Sequence, residues 1–173
     1  VLGIEKGSED MSSLNRVFYQ QVAESLEKEE STAPEHISKL FFLFERAGIR
    51  QATKAIKYGL IVVRSLTTAR NFQKAITTLD KCSGYARSGG PQVRAEMEKL
   101  IAVERDRTNL DKLADSPASG QDPVSEALQI ESRWRARGQL PEKLIYPVLR
   151  ALYGRNNGSD AREVFKRVLS DVR

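Results

Sequence analysis

Apolar residues recur at intervals of three and four along most of this chain, which is the period of an α-helix. The first such run occupies residues 14–29, where the apolar positions are Leu14, Val17, Phe18, Val22 and Leu26. This spacing predicts an amphipathic helix. Runs with the same period follow it to the end of the sequence.

Residues that typically begin and end helices separate these runs. Thr32 followed by Glu35 fits a capping box, so we expect a second helix to begin there and Gly48 to end it. Asn71 is a good N-cap for a fourth helix, and Asp122 before Pro123 opens a sixth. The remaining helices are expected at about residues 50–66, 91–113, 145–154 and 160–170.

The pattern therefore predicts an all-α fold. Residues 60–63 are apolar and strand-like, but the flanking sequence does not alternate and no partner strand is visible, so we interpret them as helical. About eight helices joined by short turns predict antiparallel helical hairpins, stacked as a short α-solenoid or an irregular bundle.

Four segments differ in composition. Residues 1–12 mix glycine, serine and charged residues without periodicity and are predicted to form a flexible arm. Residues 13–115 are predicted to form N-terminal helical hairpins, and 116–122 a linker rich in serine, proline and glycine. Residues 123–173 are predicted to form C-terminal helical-repeat hairpins.

The composition argues against several functional classes. Cys82 is the only cysteine and His36 the only histidine, so the chain has no material for a disulfide framework, a histidine-rich metal site or a histidine-based triad. No run of 18 apolar residues is present, and no bilayer-spanning helix is expected. We predict a protein that is not an enzyme and has no cofactor. Val1 in place of methionine indicates a processed chain or a piece of a longer one.

The charge pattern suggests an anionic partner. The net charge is +5, and Arg50, Lys54, Lys57 and Arg64 are spaced to share one side of the third helix. That side is either an ordinary solvated face or a surface that follows phosphates. Arg150 and Arg155 add basic residues near the C-terminus.

The only tryptophan also has two interpretations. Trp134 lies among Arg133, Arg135 and Arg137, an arrangement that would allow a base to stack between cations. Its helical phase matches Ala127 and Ile130, which favours burial in a hairpin core instead.

Residues 127–168 resemble a pentatricopeptide repeat, a helical hairpin of roughly 35 residues that is abundant in organellar RNA-binding proteins. The likeness lies in a helix opened by Ala127, then Pro141, Tyr146 and Tyr153, and a final helix containing Phe165. Residues 59–82 are similar to the same pattern, with Gly59 in place of its tyrosine.

The resemblance implies a concave surface lined by the first helix of each repeat. The residue after the tyrosine position helps to choose an RNA base in this family, and here Leu60 and Pro147 occupy it. Neither side chain offers a polar group, so we expect no base-by-base reading.

Three functions are consistent with these observations. The first is a non-catalytic helical-repeat protein of a mitochondrial or plastid assembly that contains RNA, such as a mitochondrial ribosome, where it contacts phosphates and neighbouring proteins. The RNA contacts would come from Arg50, Lys54, Lys57, Arg64, Arg150 and Arg155. The second is a structural accessory subunit of a large organellar membrane or respiratory complex with protein contacts only. The third is a secreted helical effector that binds a host protein, because Trp134 to Pro141 is loosely similar to the tryptophan motif of oomycete effector bundles.

Overall fold

A computed structural model describes residues 4–115, 122–153 and 158–171, and side chains from Ser12 onward. These residues form eight α-helices and no strand, which confirms the predicted all-α fold. The helices are α1 (Ile4–Glu27), α2 (Pro34–Ala47), α3 (Ala52–Thr68), α4 (Phe72–Ser88), α5 (Pro91–Asp115), α6 (Pro123–Arg135), α7 (Glu142–Tyr153) and α8 (Gly158–Asp171). A single 3-10 turn, Ile49–Gln51, precedes α3.

Several predicted helix ends are confirmed. The side chain of Asn71 accepts a hydrogen bond from the backbone N–H of Lys74, and that of Asp122 accepts from two N–H groups in the first turn of α6. Gly48 follows α2 with φ of 91°, a left-handed conformation that glycine adopts without strain. Each of these caps contacts only residues next to it in sequence, which is why the sequence could indicate it.

Two predicted helix starts are wrong. The capping box at Thr32 does not form, because α2 begins at Pro34 and its N-cap, Ala33, makes no side-chain hydrogen bond. Proline is suited to the first turn of a helix, where its missing N–H is not needed. The first helix begins at Ile4, inside the segment predicted to be a flexible arm. That segment contains no proline to prevent an early start.

The chain divides into two compact units, Val1–Ile101 and Ala102–Arg173. The division falls within α5. The linker predicted at 116–122 lies, except for Asp122, outside the described residues, so that boundary stays a prediction.

Helices of the first unit contact both the next helix and the one after it. The carboxylate of Glu27 in α1 accepts hydrogen bonds from Lys54 and Tyr58 of α3, each at 2.7 Å. The carboxylate of Glu45 in α2 accepts from Lys81, at 3.1 Å, and from the hydroxyl of Tyr85, at 2.7 Å, on α4.

The same arrangement thus occurs on two successive helices: a lysine and a tyrosine four residues apart bind a glutamate that lies two helices earlier in the chain. The repetition is typical of stacked helices in a solenoid. In both cases burial and the glutamate raise the pKa of the tyrosine, to about 12 for Tyr58.

The interior of the first unit is apolar and tightly packed. Phe44 and Ala55 pack beside Ala23 of α1, and Ile56, Leu79 and Met97 belong to an adjoining cluster. Gly59 lets α3 approach its neighbours closely, since a Cβ there would lie 2.6 Å from Sγ of Cys82 and 2.9 Å from Cε2 of Phe41.

The second unit packs α6, α7 and α8 around one cluster that includes Ile130, Trp134, Leu144, Leu152 and Val164. Trp134 is 3% exposed, which confirms its predicted burial with Ala127 and Ile130. Its indole N–H donates to Asp106 at 2.7 Å, and Arg133 donates to the other oxygen of that carboxylate at 2.7 Å. None of the described helices is long and apolar enough to cross a membrane.

Candidate interaction surfaces

The predicted basic stripe of α3 is largely engaged in ion pairs. Lys54 binds Glu27, and its ammonium also lies 5.1 Å from the ring centre of Phe44. Lys57 lies 4.0 Å from Glu96, with both side chains more than half exposed. Arg50 is exposed but precedes α3, in the 3-10 turn.

Two opposing effects act on the pKa of Glu27. Burial alone would raise the pKa of this carboxyl, but the hydrogen bonds from Lys54 and Tyr58 outweigh it and lower the pKa. Lys54 is therefore committed to a contact between two helices. Arg64 is half-buried and also interacts within the chain. Of this group, Arg50 and Lys57 are the most accessible to a phosphate.

The C-terminal basic residues have a different setting. Arg150 of α7 lies 3.5 Å from Asp111, and 48% of its side chain is exposed. Burial raises the pKa of Asp111, which Arg107 and Arg150 partly offset. Arg155 lies outside the described residues. The RNA-binding role of all six basic residues stays a prediction.

Two exposed tyrosines flank Arg150 on the same side of α7. Tyr146 is 72% exposed and Tyr153 is 55% exposed, and residues 146, 150 and 153 are four and then three positions apart, so they share one helical face. We call Tyr146, Arg150 and Tyr153 the α7 strip. Sequence reasoning used the two tyrosines only as marks of a repeat, although their spacing around an arginine was itself a signal.

The positions implied to read bases are not available for that task. Leu60 is 5% exposed, and Pro147 is also buried, in the second unit. Pro147 was expected in a first turn beginning near Ile145, but α7 begins at Glu142 and places the proline inside the helix. The carbonyl of Lys143 consequently lacks its usual helical N–H partner.

Four exposed apolar side chains of the first unit lie on α1. Leu14 is 63% exposed, Val17 52%, Phe18 60% and Val22 37%. We call these four residues the α1 face. The opposite side of α1 is packed through Ala23 and Leu26, so the more apolar side of this amphipathic helix points outward. Such a face usually marks an interface.

Residues that could ligate a metal ion are not clustered in the described part of the chain. No group of three or more histidine, cysteine, aspartate or glutamate residues in this part of the chain could hold a metal ion. Cys82 is fully buried in the core of the first unit. Both surfaces have groups suited to binding another molecule: the α7 strip offers aromatic faces and a cation, and the α1 face offers apolar area.

Comparisons of the chain with protein-family models, with curated proteins and with solved structures gave no match. The pentatricopeptide resemblance therefore stays a prediction.

Proposed function

We propose that this protein is a non-catalytic helical subunit that binds RNA, without reading its sequence, inside a larger RNA-containing assembly of a mitochondrion or plastid. The observation that carries the proposal is the α7 strip, in which Tyr146 and Tyr153 are exposed on either side of Arg150. Proteins that hold single-stranded RNA without sequence preference combine stacking aromatics with basic groups in this way.

The energetics of the strip favour an RNA ligand. Stacking of a base on an exposed aromatic ring contributes about 1–3 kcal/mol per base, and every base has a face that can stack. The contact between Arg150 and Asp111 is long and half-exposed, and pairs of this kind contribute at most about 1 kcal/mol. A phosphate can therefore replace Asp111 as the partner of Arg150.

The absence of sequence reading follows from burial. Leu60 and Pro147 are buried and apolar, so neither can form a hydrogen bond to a base edge. Binding would then depend on stacking and charge alone. We expect similar affinity for single-stranded RNAs of different sequence and a strong dependence on salt.

The test is binding of a single-stranded RNA by the purified protein and by variants of the strip. Tyr146→Ala combined with Tyr153→Ala should weaken binding at least about tenfold, because two stacking faces are removed. Arg150→Glu should lower the slope of log K against log salt by about 0.7, the contribution of one phosphate contact to a single strand.

Matched controls lie on other helices. Phe42→Ala removes an exposed aromatic ring that has an arginine, Arg46, 5.1 Å from its centre, and Lys99→Glu reverses an exposed charge. Neither should change the affinity by more than about twofold. A parent protein that binds no RNA at low salt, or strip variants that bind like the parent, would refute the proposal.

A second candidate, a structural subunit with protein contacts only, is favoured by the α1 face. Purification from the native source followed by sizing before and after ribonuclease treatment separates the two. A large particle that ribonuclease does not change would support the protein-only role, whereas collapse of the particle would support an RNA-containing assembly.

A further inference from the structure

The α1 face has two features that specify what would cover it. Its apolar residues recur along one side of a helix, which is the surface against which another helix packs. Just beyond its C-terminal end, an exposed lysine, Lys28, is followed by two exposed glutamates, Glu29 and Glu30, and 64% of the Glu29 side chain is exposed.

Acidic residues at that end of a helix lie beside the negative pole of the helix dipole. A cation from another molecule would be favoured there by both the glutamates and the dipole. Among the described residues, His36 has its Nδ1 3.8 Å from a carboxylate oxygen of Glu29, and Lys28 precedes Glu29 in sequence. The covering helix should therefore combine apolar side chains with a basic residue one turn away.

Helix α8 of the second unit presents such a surface. Phe165 is 47% exposed and Leu169 is 52% exposed, while Arg162 and Lys166 are exposed beside them. Lys166 contacts Glu163 at 2.9 Å, but both side chains are more than half exposed, so this pair exchanges readily for another. We call Arg162, Phe165, Lys166 and Leu169 the α8 face.

We propose that the α1 face of one copy of this protein binds the α8 face of a second copy, with the two helices antiparallel. Phe18 and Val22 are four residues apart, as are Leu169 and Phe165, so both pairs span about 6 Å and can pack in register. In this register, Arg162 extends toward Glu29 and Glu30, just beyond the C-terminal end of α1.

This contact is head-to-tail. Because each copy has one α1 face and one α8 face, a bound pair still has one free face of each kind, and further copies can add. The contact involves one helix from each copy and is smaller than the roughly 800 Å² per partner of a standard interface. We expect weak, concentration-dependent association. The inference names the partner of the α1 face and does not depend on RNA binding.

Sedimentation of the full chain between about 10 μM and 1 mM tests it. The parent protein should form oligomers larger than a dimer as its concentration rises. An α1 variant, Leu14→Glu with Phe18→Glu, and an α8 variant, Phe165→Glu with Leu169→Glu, should each remain monomeric. Leu100→Glu changes a residue that is 40% exposed on α5 and should associate like the parent. Helical circular dichroism of each variant checks that it is folded.

Mixing the two variants gives the most specific result. The α1 variant retains its α8 face and the α8 variant retains its α1 face. An equimolar mixture should therefore form a one-to-one dimer, which has no intact face left to bind a further copy. Charge reversal provides an independent measurement: Glu29→Lys and Arg162→Glu should each weaken association several-fold, and both changes in one chain should restore it.

Three outcomes would overturn the inference. The first is a parent protein that is monomeric at 1 mM. The second is an α8 variant that still associates, which would mean that α1 faces pair with each other. The third is a mixture of the two variants that contains no dimer. If the parent is monomeric but the α1 variant is lost from the native particle, the α1 face binds a different protein. In that case the second candidate function would stand while this inference would fail.

Discussion

Gly59 offers the sharpest test of how the first unit is packed. Replacing it by alanine adds one methyl group inside α3, and that methyl carbon would lie 2.6 Å from Sγ of Cys82 and 2.9 Å from Cε2 of Phe41. Both distances are below van der Waals contact. Cys82 and Phe41 are themselves buried, so neither side chain can move aside without disturbing its own contacts.

Two opposing effects set the size of the change. Alanine is favoured over glycine inside a helix by about 1 kcal/mol. Adding volume to a packed core costs typically 1–3 kcal/mol. We therefore expect Gly59→Ala to lower the free energy of unfolding by up to about 2 kcal/mol.

Gly84 of α4 is the matched control. It lies inside a helix as Gly59 does, but a Cβ there would have no heavy atom within 4 Å. Gly84→Ala should raise the free energy of unfolding by as much as about 1 kcal/mol, because only the helix preference changes. The two variants should thus differ by about 1–3 kcal/mol in opposite directions.

Urea unfolding followed by circular dichroism at 25 °C measures both variants. Adding Cys82→Ala to Gly59→Ala removes the nearest atom, so the double variant should be more stable than the sum of the single changes, by about 1 kcal/mol. If Gly59→Ala stabilises the protein as much as Gly84→Ala does, the close approach of α3 to its neighbours is not a packing constraint and the reasoning fails.

Two further predictions concern buried hydrogen bonds. The pKa of Tyr58 is raised to about 12, so near pH 10 the unfolded chain releases this proton while the folded chain keeps it. The free energy of unfolding should therefore fall between pH 10 and about 12. Urea unfolding at each pH should show a shallower fall for Tyr58→Phe. Asp106→Ala should lower the free energy of unfolding by about 1–3 kcal/mol, because the indole N–H of Trp134 stays buried without its partner. Arg133→Ala should lower the free energy of unfolding by less, since 43% of that side chain is exposed. Unfolding of both variants can be followed by the fluorescence of the single tryptophan. Equal decreases in the free energy of unfolding would contradict this account.

The local part of the fold was predictable from the sequence. Helical periodicity gave the all-α class, and Gly48, Asn71 and Asp122 marked helix ends that the structure confirms. The burial of Trp134 also followed from periodicity, because Ala127 and Ile130 share its helical face. In each case the determining contacts lie within one or two helical turns.

The candidate surfaces were predictable only in part. The spacing of Leu14, Val17, Phe18 and Val22 predicted an apolar side for α1. The spacing of Tyr146, Arg150 and Tyr153 also fits one face of a helix, but this signal was not used. Periodicity places residues on a common side of a helix. For α1 and α7 it did not show whether that side faces the core or the solvent.

Tertiary structure decided which groups are engaged. Glu27 lies 27 positions before Lys54, and its contact with this lysine is what withdraws Lys54 from the predicted phosphate-binding stripe. Gly59 acquires its importance only because Cys82 and Phe41, from other helices, lie against it. The sequence by itself determined the helices, several of their ends and their apolar sides, since these depend on neighbouring residues. Which sides are covered, which charges are paired and which aromatics stay exposed depended on contacts between residues far apart in the chain, and only the folded structure specifies those contacts.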